Sequence, residues 1–383
     1  MDRTADIAIV GAGIVGLAHA YMALKKGLRV VLFERDQYAV GASIRNFGLL
    51  WPVGQEPGTG LDRALRGRQH WDEISRQAGI WNVNNGSLHL AYHDDEMDVV
   101  SEFVSIYRNA PYDCTLLSPS EVQRLSPVVR TVGLKGGLYS RTESTVYSRD
   151  AIKRIPVWLQ EKYGLILRFG NVVTEISIPL IKTSREVWKA NQVIVCSGAD
   201  FETLYPAQYE QQKMTKCKLQ MLKAVPSVGV NIGPSLCAGL TLRHYAAFAK
   251  CPSLPKLDRR FNDIAPAYQE NGVHVLVAQN QNGELIIGDS HEYGNTVEPF
   301  DRESIYETIL SYLKTFTNFR NLKIIERWNG VYPSNAGRTC LVIQPEKGVT
   351  LVNGLGGAGM TLSFGLAEDV IEQISISSRP LLQ

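Results

Sequence analysis

The chain has 383 residues, of which 44% are hydrophobic and 20% charged, and its formal net charge at pH 7 is +2. This length allows two domains with sizeable cores. The nearly balanced charge gives no reason to expect a nucleic acid or a membrane surface as a partner, so the composition indicates an ordinary globular protein.

The first predicted element is a buried strand that leads into a glycine turn and a helix. The stretch reads Asp6-Ile-Ala-Ile-Val-Gly-Ala-Gly-Ile-Val-Gly16, and the helix is predicted from Ile14 to Lys26. Gly11 permits the tight turn, Gly13 lets the backbone approach a pyrophosphate, and Gly16 lets the helix lie close to the strand. Free amides at the helix start then face the phosphate charge.

A second strand, Val30 to Glu34, ends in an acidic residue 18 positions after Gly16. Such a carboxylate accepts hydrogen bonds from ribose hydroxyls, whereas a 2′-phosphate favours Arg. The pattern therefore predicts an adenine dinucleotide other than NADP and leaves FAD and NAD open.

The next segment, residues 35–52, is rich in small residues and has no clear periodicity, as expected of a chain that runs along an extended ligand. Hydrophobic periodicity and turn residues then predict helices at 61–78, 94–109, 118–125 and 148–163, and strands at 86–91, 136–139 and 192–198.

In the middle of the chain, about residues 213–326, the predicted elements are mostly strands. Strands are predicted at 217–223, 239–248, 273–279 and 284–288, and a helix at 302–315. Asn282-Gly283 is a hairpin signal between two of these strands. Long antiparallel strands favour a substrate-binding sheet over a doubly wound one.

The tail repeats the strand, glycine loop and helix order of the beginning. The strand Val349–Asn353 is followed by the loop Gly354-Leu-Gly-Gly-Ala-Gly359 and by a helix from Met360 to about Ile374. This second loop could present amides to another part of the cofactor.

The cysteines and the N-terminus support a cytoplasmic protein without a structural metal. None of the six cysteines forms a C-x-x-C pair or lies at metal-ligand spacing with a histidine, so we expect free thiols and no metal site. The first strand begins too early for a signal peptide, and no apolar run reaches the roughly 18 residues of a membrane span.

Together these motifs resemble the D-amino-acid oxidase superfamily of FAD-dependent enzymes, near glycine oxidase and sarcosine oxidase. The resemblance extends from the first strand to the last helix. Within the superfamily, Leu50-Trp-Pro-Val-Gly-Gln55 and Gly288-Asp-Ser-His-Glu-Tyr293 are similar to a subgroup linked to phosphonate catabolism.

The resemblance implies an α/β (overall α+β) architecture of two domains. A discontinuous, Rossmann-like FAD-binding domain would comprise residues 1–82, 144–213 and 327–383. A substrate domain with a large mixed or antiparallel sheet would comprise residues 83–143 and 214–326.

Carried over by position, the resemblance also implies which residues contact FAD. They are Gly11, Gly13, Ile14, Val15, Gly16, Glu34, Arg35, Ser43, Arg45, Asn46, Gly48, Leu49, Val173, Ser197, Gly198, Gly354, Gly356, Gly357, Ala358, Gly359, Met360 and Thr361. Arg45 is also the best candidate for an electrostatic catalytic role near the flavin.

Two departures from the family pattern carry information. Sarcosine-oxidase-like enzymes tether the flavin to a cysteine, but Cys340 is too close to the glycine loop to match, so noncovalent FAD is expected. Relatives that oxidise amino acids place Arg or Lys at or just after this loop, where this chain has Gly357 and Thr361.

An anionic substrate must therefore find other partners. The candidates are His244, Tyr332, Arg243, His274, His291 and Arg327. A doubly charged phosphonate favours several basic donors over one bidentate pair.

The function expected from the resemblance is oxidation of the C–N bond of a small amine, amino acid or aminophosphonate. Hydride would pass to flavin N5, the imine would hydrolyse to an aldehyde or keto acid plus ammonia or amine, and O2 would yield peroxide. The alternatives are a dehydrogenase of a small amine or hydroxy acid with another acceptor, and a non-catalytic flavin-binding partner. The protein could be a monomer or a homo-oligomer.

Overall fold

A computed structural model describes residues 3–377 as three sheets with flanking helices. The strands are β1 (Thr4–Val10), β2 (Val30–Glu34), β3 (Leu49–Leu50), β4 (Asn82–Val83), β5 (Ser87–Ala91), β6 (Cys114–Leu117), β7 (Gly136–Ser140), β8 (Ser144–Val146), β9 (Ile166–Phe169), β10 (Val173–Ser177), β11 (Leu180–Thr183), β12 (Val187–Val195), β13 (Thr215–Val225), β14 (Ser235–Ala238), β15 (Leu276–Gln279), β16 (Leu285–Gly288), β17 (Glu292–Gly294), β18 (Lys323–Ser334), β19 (Leu341–Glu346) and β20 (Val349–Asn353). The helices are α1 (Ile14–Lys25), α2 (Thr59–Ala78), α3 (Asp94–Ile106), α4 (Pro119–Leu125), α5 (Ser148–Tyr163), α6 (Pro206–Gln211), α7 (Gly239–His244), α8 (Leu254–Ile264), α9 (Pro266–Glu270), α10 (Glu303–Phe316) and α11 (Gly359–Ser377).

The eight-stranded sheet has a parallel centre. β1 pairs in parallel with β2 and β12, β9 extends the sheet beside β2, and β20 runs parallel to β12. The antiparallel strands β10, β11 and β19 complete its edges. Because parallel strands end at a common edge, this sheet brings the ends of β1, β2, β12 and β20 together, where α/β sheets bind nucleotides.

Side chains that alternate along β1 separate two cores. Ile7 and Ile9 belong to the core beneath α1, α2, α5 and α11, whereas Ala8 belongs to the core on the opposite face, with Phe33 and Trp188. Helix α11 crosses α2 very closely, because a Cβ on Gly67 would lie 2.5 Å from the Thr361 carbonyl oxygen.

The nine-stranded sheet is antiparallel except for the parallel pair β5–β14. Its longest pairing joins β13 to β18 and places Cys217 opposite Tyr332. The hairpin β15–β16 lies between β13 and β14. The predicted fold class, a Rossmann-like sheet together with a large mixed sheet, is confirmed.

All strands of the eight-stranded sheet come from the segments expected for the FAD domain. The strands of the nine-stranded sheet come from the segments expected for the substrate domain, except that β18 crosses the expected boundary at residue 327. The division into domains stays a prediction.

The predicted strand at 239–248 is wrong. Residues 239–244 form α7, and Ala246–Phe248 form a turn of 3-10 helix. A short apolar run fits a buried helix as well as a strand, and tertiary contacts decide the matter here. The Tyr312 hydroxyl accepts a hydrogen bond from Leu240 N (3.0 Å), and Gly239 lies against the carboxylate of Glu96.

Within residues 3–377, no helix has both the length and the apolar character needed to cross a bilayer.

Candidate FAD and substrate site

One cavity of about 570 Å³ is lined by residues of both large sheets. Its volume lies within the roughly 300–1,000 Å³ that is typical of small-molecule and cofactor sites. Glu34 and Val173 line one part of it, the turn around Gly13 and the loop around Gly357 line the next, and His244 lines the part formed by the nine-stranded sheet.

The first glycine turn has the conformation that the sequence predicts. Gly11 adopts φ +100°, and a Cβ there would overlap the Cys196 carbonyl oxygen. Gly13 forms the start of α1 without a side-chain cap, and the Ser43 hydroxyl accepts a hydrogen bond from Ile14 N at 2.9 Å. Gly16 is not on the cavity wall, because it lies against the Gly11 carbonyl and so lets α1 approach β1.

The Glu34 carboxylate closes the turn from the side of β2. Its two oxygens accept hydrogen bonds from Ala12 N (2.9 Å) and Asp36 N (3.1 Å). The carboxylate is thus held beside the glycine turn, in the position that a ribose-binding acid needs. The neighbouring Arg35 forms an ion pair with Asp200 on the same cavity wall.

The C-terminal glycine loop faces the same cavity. A 3-10 turn at Gly356–Ala358 leads directly into α11, whose first residues line the cavity. Two contacts fix this loop: Asn353 Nδ2 donates to the Gly198 carbonyl oxygen (2.9 Å), and Trp51 N donates to Thr361 Oγ1 (2.9 Å).

Most residues expected to contact FAD lie on this wall. Those on it are Gly11, Gly13, Ile14, Val15, Glu34, Arg35, Ser43, Arg45, Asn46, Leu49, Val173, Ser197, Gly198, Gly356, Gly357, Ala358, Gly359, Met360 and Thr361. Gly16, Gly48 and Gly354 lie behind it: a Cβ on Gly48 would overlap the Val146 carbonyl oxygen, and one on Gly354 would lie 3.2 Å from Met214. These three glycines therefore shape the backbone without facing the cavity.

The residues present fit FAD. The start of α1 and the start of α11 both supply amides to one cavity, and a single dinucleotide with a flavin at one end is long enough to use both. Cys340 is not among the lining residues, and its thiol receives a weak hydrogen bond from Arg63 (3.5 Å). Noncovalent attachment stays a prediction.

Arg45 lies where the two sheets meet. Its guanidinium donates to the Asn329 carbonyl oxygen (3.3 Å), and its own carbonyl accepts from Trp328 Nε1 (3.1 Å). Arg45 also lines the cavity, so its charge lies beside any bound cofactor. A catalytic role for Arg45 stays a prediction.

Three histidines from distant parts of the sequence meet at the far end of the cavity. The hairpin β15–β16 places His274 opposite Asp289, with backbone hydrogen bonds of 2.8 and 3.2 Å, and carries His291 just beyond. His244, the last residue of α7, stacks on His274 with ring centroids 3.8 Å apart and lies 4.7 Å from the His291 ring. We call His244, His274 and His291 the histidine cluster.

The surroundings of the histidine cluster perturb its charges. Burial lowers the pKa of His274, and its histidine neighbours lower it further. The His244 side chain is exposed to the cavity, but the cavity itself lies deep in the protein, and this burial lowers the pKa of His244. The neighbouring His291 lowers the pKa of His244 further. Burial raises the pKa of Asp289 to about 6.

Tyr332 completes the link between the cluster and the glycine loop. Its hydroxyl would lie 3.7 Å from a Cβ on Gly357, and its ring centroid lies 6.4 Å from that of His291. Burial raises the pKa of Tyr332, so its hydroxyl keeps its proton and can donate a hydrogen bond.

Arg243 and Arg327 are not brought to the cavity. Arg243 points to α8, where Nε donates to Asp258 (2.6 Å) and Nη2 to Asn262 (2.9 Å). Arg327 pairs with Glu303 (2.9 Å) on the surface. Each guanidinium is instead paired with a nearby carboxylate. The sequence alone does not reveal these pairings.

Several cavity residues were not singled out from the sequence. Asp289, Tyr245 and Trp51 line the histidine end, and Leu219, Met221 and Leu276 give the cavity an apolar wall. Asp289 and Trp51 lie within the two segments that resemble the phosphonate-linked subgroup. That resemblance is the sequence feature from which they could have been chosen as site residues.

Comparison with known proteins gives partial matches in sequence and complete matches in fold. The chain is 28% identical to a glycerol 3-phosphate dehydrogenase of Caloramator mitchellensis over 50% of this chain and 42% of the relative. It is 23% identical to a glycine oxidase of Geobacillus kaustophilus over 52% of this chain and 56% of the relative. The chain thus spans about half the length of these curated relatives.

Several solved structures match the whole length of this chain, and two of them illustrate the likeness. The glycine oxidase from Geobacillus kaustophilus has a TM-score of 0.77 at 18% identity, with 97% of that chain covered. The L-proline dehydrogenase from P. horikoshii has a TM-score of 0.79 at 18% identity, with 96% covered. At such low identity these likenesses show the fold alone.

The family model described as "DAO: FAD dependent oxidoreductase" matches residues 6–373, which is nearly the whole chain. This confirms FAD as the cofactor, in agreement with two glycine loops that face one cavity. The chain belongs to the DAO family of FAD-dependent oxidoreductases.

Proposed function

We propose that this enzyme oxidises the C–N bond of a small amine that carries an anionic group, of the amino acid or aminophosphonate class. The observation that carries the proposal is the single cavity that joins the cofactor loops to the histidine cluster. An amine bound between them has its anionic group at the histidines and its reacting carbon near the C-terminal glycine loop.

FAD, when bound, supplies the two-electron acceptor for the hydride that leaves the carbon next to nitrogen. The amine nitrogen loses a proton to give an imine, and water converts the imine into an aldehyde or keto acid plus ammonia or amine. The apolar wall of Leu219, Met221 and Leu276 excludes water and favours the unprotonated amine. Tyr332, which lies between the histidine cluster and the C-terminal glycine loop, orients the substrate.

The anionic group is expected at the histidine cluster because other basic groups on the wall are engaged. Arg35 pairs with Asp200, Arg45 donates to Asn329, and Arg338 donates to Gln212 (3.0 Å). The position next to the loop that holds Arg or Lys in amino acid oxidising relatives is Gly357 or Thr361 here. Several imidazoles suit a phosphonate with three oxygens better than they suit a planar carboxylate, which supports an aminophosphonate as the narrower substrate.

The electron acceptor has two candidates. O2 is the first, with peroxide as product. A different acceptor is the second, since sarcosine dehydrogenase and glycerol 3-phosphate dehydrogenase are among the relatives. The similarity to glycerol 3-phosphate dehydrogenase also makes a small hydroxy acid or phosphate ester an alternative substrate. The remaining alternative is that the protein is a non-catalytic flavin-binding partner.

Anaerobic reduction of the bound flavin tests the proposal. The panel comprises glycine, sarcosine, D-alanine, 2-aminoethylphosphonate and its N-methyl and 1-hydroxy derivatives. Ethylphosphonate, which lacks nitrogen, is the matched control, and glycerol 3-phosphate represents the alternative. Loss of flavin absorbance is followed in each case.

Bleaching by an amine but not by ethylphosphonate supports C–N oxidation, and faster bleaching by the aminophosphonates supports the narrower class. Bleaching by glycerol 3-phosphate alone would overturn the amine proposal, and a flavin that no compound reduces would favour a non-catalytic partner. One peroxide per substrate in air would identify O2 as the acceptor.

A further inference from the structure

We propose that the histidine cluster is a divalent metal site of the Zn²⁺ class, whose open coordination position holds the anionic group of the substrate. The inference deepens the proposed function and rests on it for the identity of that anion. It also departs from the sequence-based expectation that the chain has no metal site.

The donor atoms converge as a three-histidine site requires. One ring nitrogen from each of His244, His274 and His291 lies within 4.8 Å of the other two. Zn–N bonds of about 2.0–2.1 Å in a tetrahedral site need these nitrogens to be about 3.4 Å apart. The ring centroids lie 3.8 to 5.2 Å apart, with two pairs stacked and the pair His244–His291 tilted. Because an imidazole binds a metal in the plane of its ring, the rings must rotate on metal binding, and His244 has room to do so because it is exposed to the cavity.

In His274 and His291, the second ring nitrogen lies beside an oxygen atom that orients the ring. His291 Nδ1 contacts the Gly272 carbonyl oxygen at 2.8 Å, so Nδ1 carries the proton and Nε2 keeps a free lone pair. His274 Nε2 lies 3.1 Å from the Asp289 carboxylate. Metal-binding histidines ordinarily have a backbone carbonyl or a carboxylate at their second nitrogen.

One buried polar atom at this site has no partner. It is Nδ1 of His274, a residue that is 4% exposed. An ion or a water molecule can supply the partner that such a buried atom needs. A metal ion bound to His274 Nδ1 does so and places a positive charge near the Asp289 carboxylate, which lies 3.1 Å from Nε2 of the same ring.

The charge of Asp289 favours a metal over direct binding of an anion. A carboxylate 3.1 Å from His274 repels an anionic substrate at the same place. A divalent cation between three imidazoles offsets this carboxylate and leaves a net positive charge. Three protein ligands also leave a fourth position open for a phosphonate or carboxylate oxygen.

The test is Zn²⁺ binding to the FAD-loaded protein after treatment with EDTA, by calorimetry and by metal analysis after desalting. We expect one Zn²⁺ per chain. His244→Asn removes a ligand on the cavity wall and should weaken binding by more than 100-fold, whereas Asp289→Asn should weaken it roughly 10- to 100-fold, as changes beyond the ligands do. His93→Asn removes an exposed imidazole elsewhere and should leave binding unchanged.

A second titration joins the metal to the anion. Methylphosphonate should bind the Zn²⁺-loaded protein at least 10-fold more tightly than the metal-free protein.

Absence of stoichiometric Zn²⁺, or equal Zn²⁺ affinity in wild type and His244→Asn, overturns the metal site. Flavin reduction by an amine at the same rate with and without EDTA would also overturn it but leave amine oxidation standing. Stoichiometric Zn²⁺ with no amine able to reduce the flavin would support the site and count against the proposed function.

Discussion

At the residue scale, Gly13 and Gly16 have different tasks although they belong to one motif. A Cβ on Gly13 meets only Ser43 Oγ, at 3.1 Å, and otherwise enters the cavity, whereas a Cβ on Gly16 overlaps the Gly11 carbonyl. Gly13 therefore faces the cavity where the FAD pyrophosphate is predicted to bind, whereas Gly16 lets α1 pack against β1.

This difference gives a paired prediction. Gly13→Ala should fold with a near-normal melting temperature but bind FAD at least ~10-fold more weakly, because hydrogen bonds to a charged phosphate contribute about 1.5–3 kcal/mol. Gly16→Ala should lower the melting temperature of the protein itself. Thermal unfolding and FAD fluorescence titration of both variants check this, and a Gly13→Ala protein with wild-type FAD affinity would contradict it.

Glu143 leads to a prediction about pH. This buried residue accepts hydrogen bonds from Val53 N (2.9 Å) and Ser87 (3.0 Å), which tie the cavity segment around Val53 to β5. Burial raises its pKa above the ordinary value of 4.5 although the hydrogen bonds oppose the shift. The folded state thus binds the Glu143 proton more tightly than the unfolded state does. The stabilisation that results from this proton is complete below about pH 4.5, and it is lost as the pH rises through the pKa of Glu143 in the folded state.

Glu143→Gln removes this titration while keeping an amide that can make similar hydrogen bonds. The free energy of unfolding of wild type minus that of the variant should decrease between pH 4.5 and pH 7.5. Urea unfolding with saturating FAD at several pH values measures the difference. A difference that grows with pH would mean that the folded state favours the carboxylate.

At the scale of elements, the crossing of α2 and α11 fixes the C-terminal glycine loop. Gly67 in α2 lies against the Thr361 carbonyl oxygen, and Arg66 joins the helices through Glu368 and Asp369 (2.5 and 2.8 Å). Because α11 begins directly at the loop, the separation of these helices sets the position of the loop amides.

Gly67→Ala should therefore push the helices apart, lower stability by about 1–3 kcal/mol as overpacking does, and weaken FAD binding. Gly60→Ala in the same helix is the control: its nearest neighbours would be at 3.9 Å, so it should be neutral or stabilise by up to ~1 kcal/mol. Urea unfolding and FAD titration compare them. Equal behaviour of the two variants would show that the crossing does not position the loop.

Sequence reasoning captured the elements whose local signals agree with their tertiary role. The strand, glycine turn and helix at the N-terminus are such a case, and α5 was predicted with its observed bounds, Ser148–Tyr163. The failure at α7 has a physical cause, since the contacts of Gly239 with Glu96 and of Leu240 with Tyr312 come from residues far along the chain.

The site shows the same division. The cofactor wall follows from motifs that are contiguous in sequence. The histidine cluster does not, because the hairpin register and the end of α7 bring together residues 30 and 17 positions apart. Single histidines could be nominated, but their convergence and the diversion of Arg243 to Asp258 required the structure.

At the scale of the whole molecule, the two sheets divide the work. The eight-stranded sheet presents strand ends and helix starts to the cavity, and the nine-stranded sheet supplies the apolar wall and much of the histidine cluster. The flavin is predicted to be held without a covalent bond. Acid precipitation should therefore release the yellow colour into the supernatant, and colour retained in the pellet would indicate a covalent link.

The central claim is that one cavity binds FAD at its glycine loops and the anionic group of the substrate at the histidine cluster. Titration of the FAD-loaded enzyme as isolated with methylphosphonate, an anion that cannot be oxidised at a C–N bond, tests it most directly through the flavin absorption spectrum. We predict a saturable spectral change in wild type and at least ~10-fold weaker binding in His244→Asn with unchanged FAD content, because the histidine cluster that holds the anionic group loses one of its three imidazoles. A spectrum that methylphosphonate leaves unchanged, or equal affinity in the two proteins, would contradict the account.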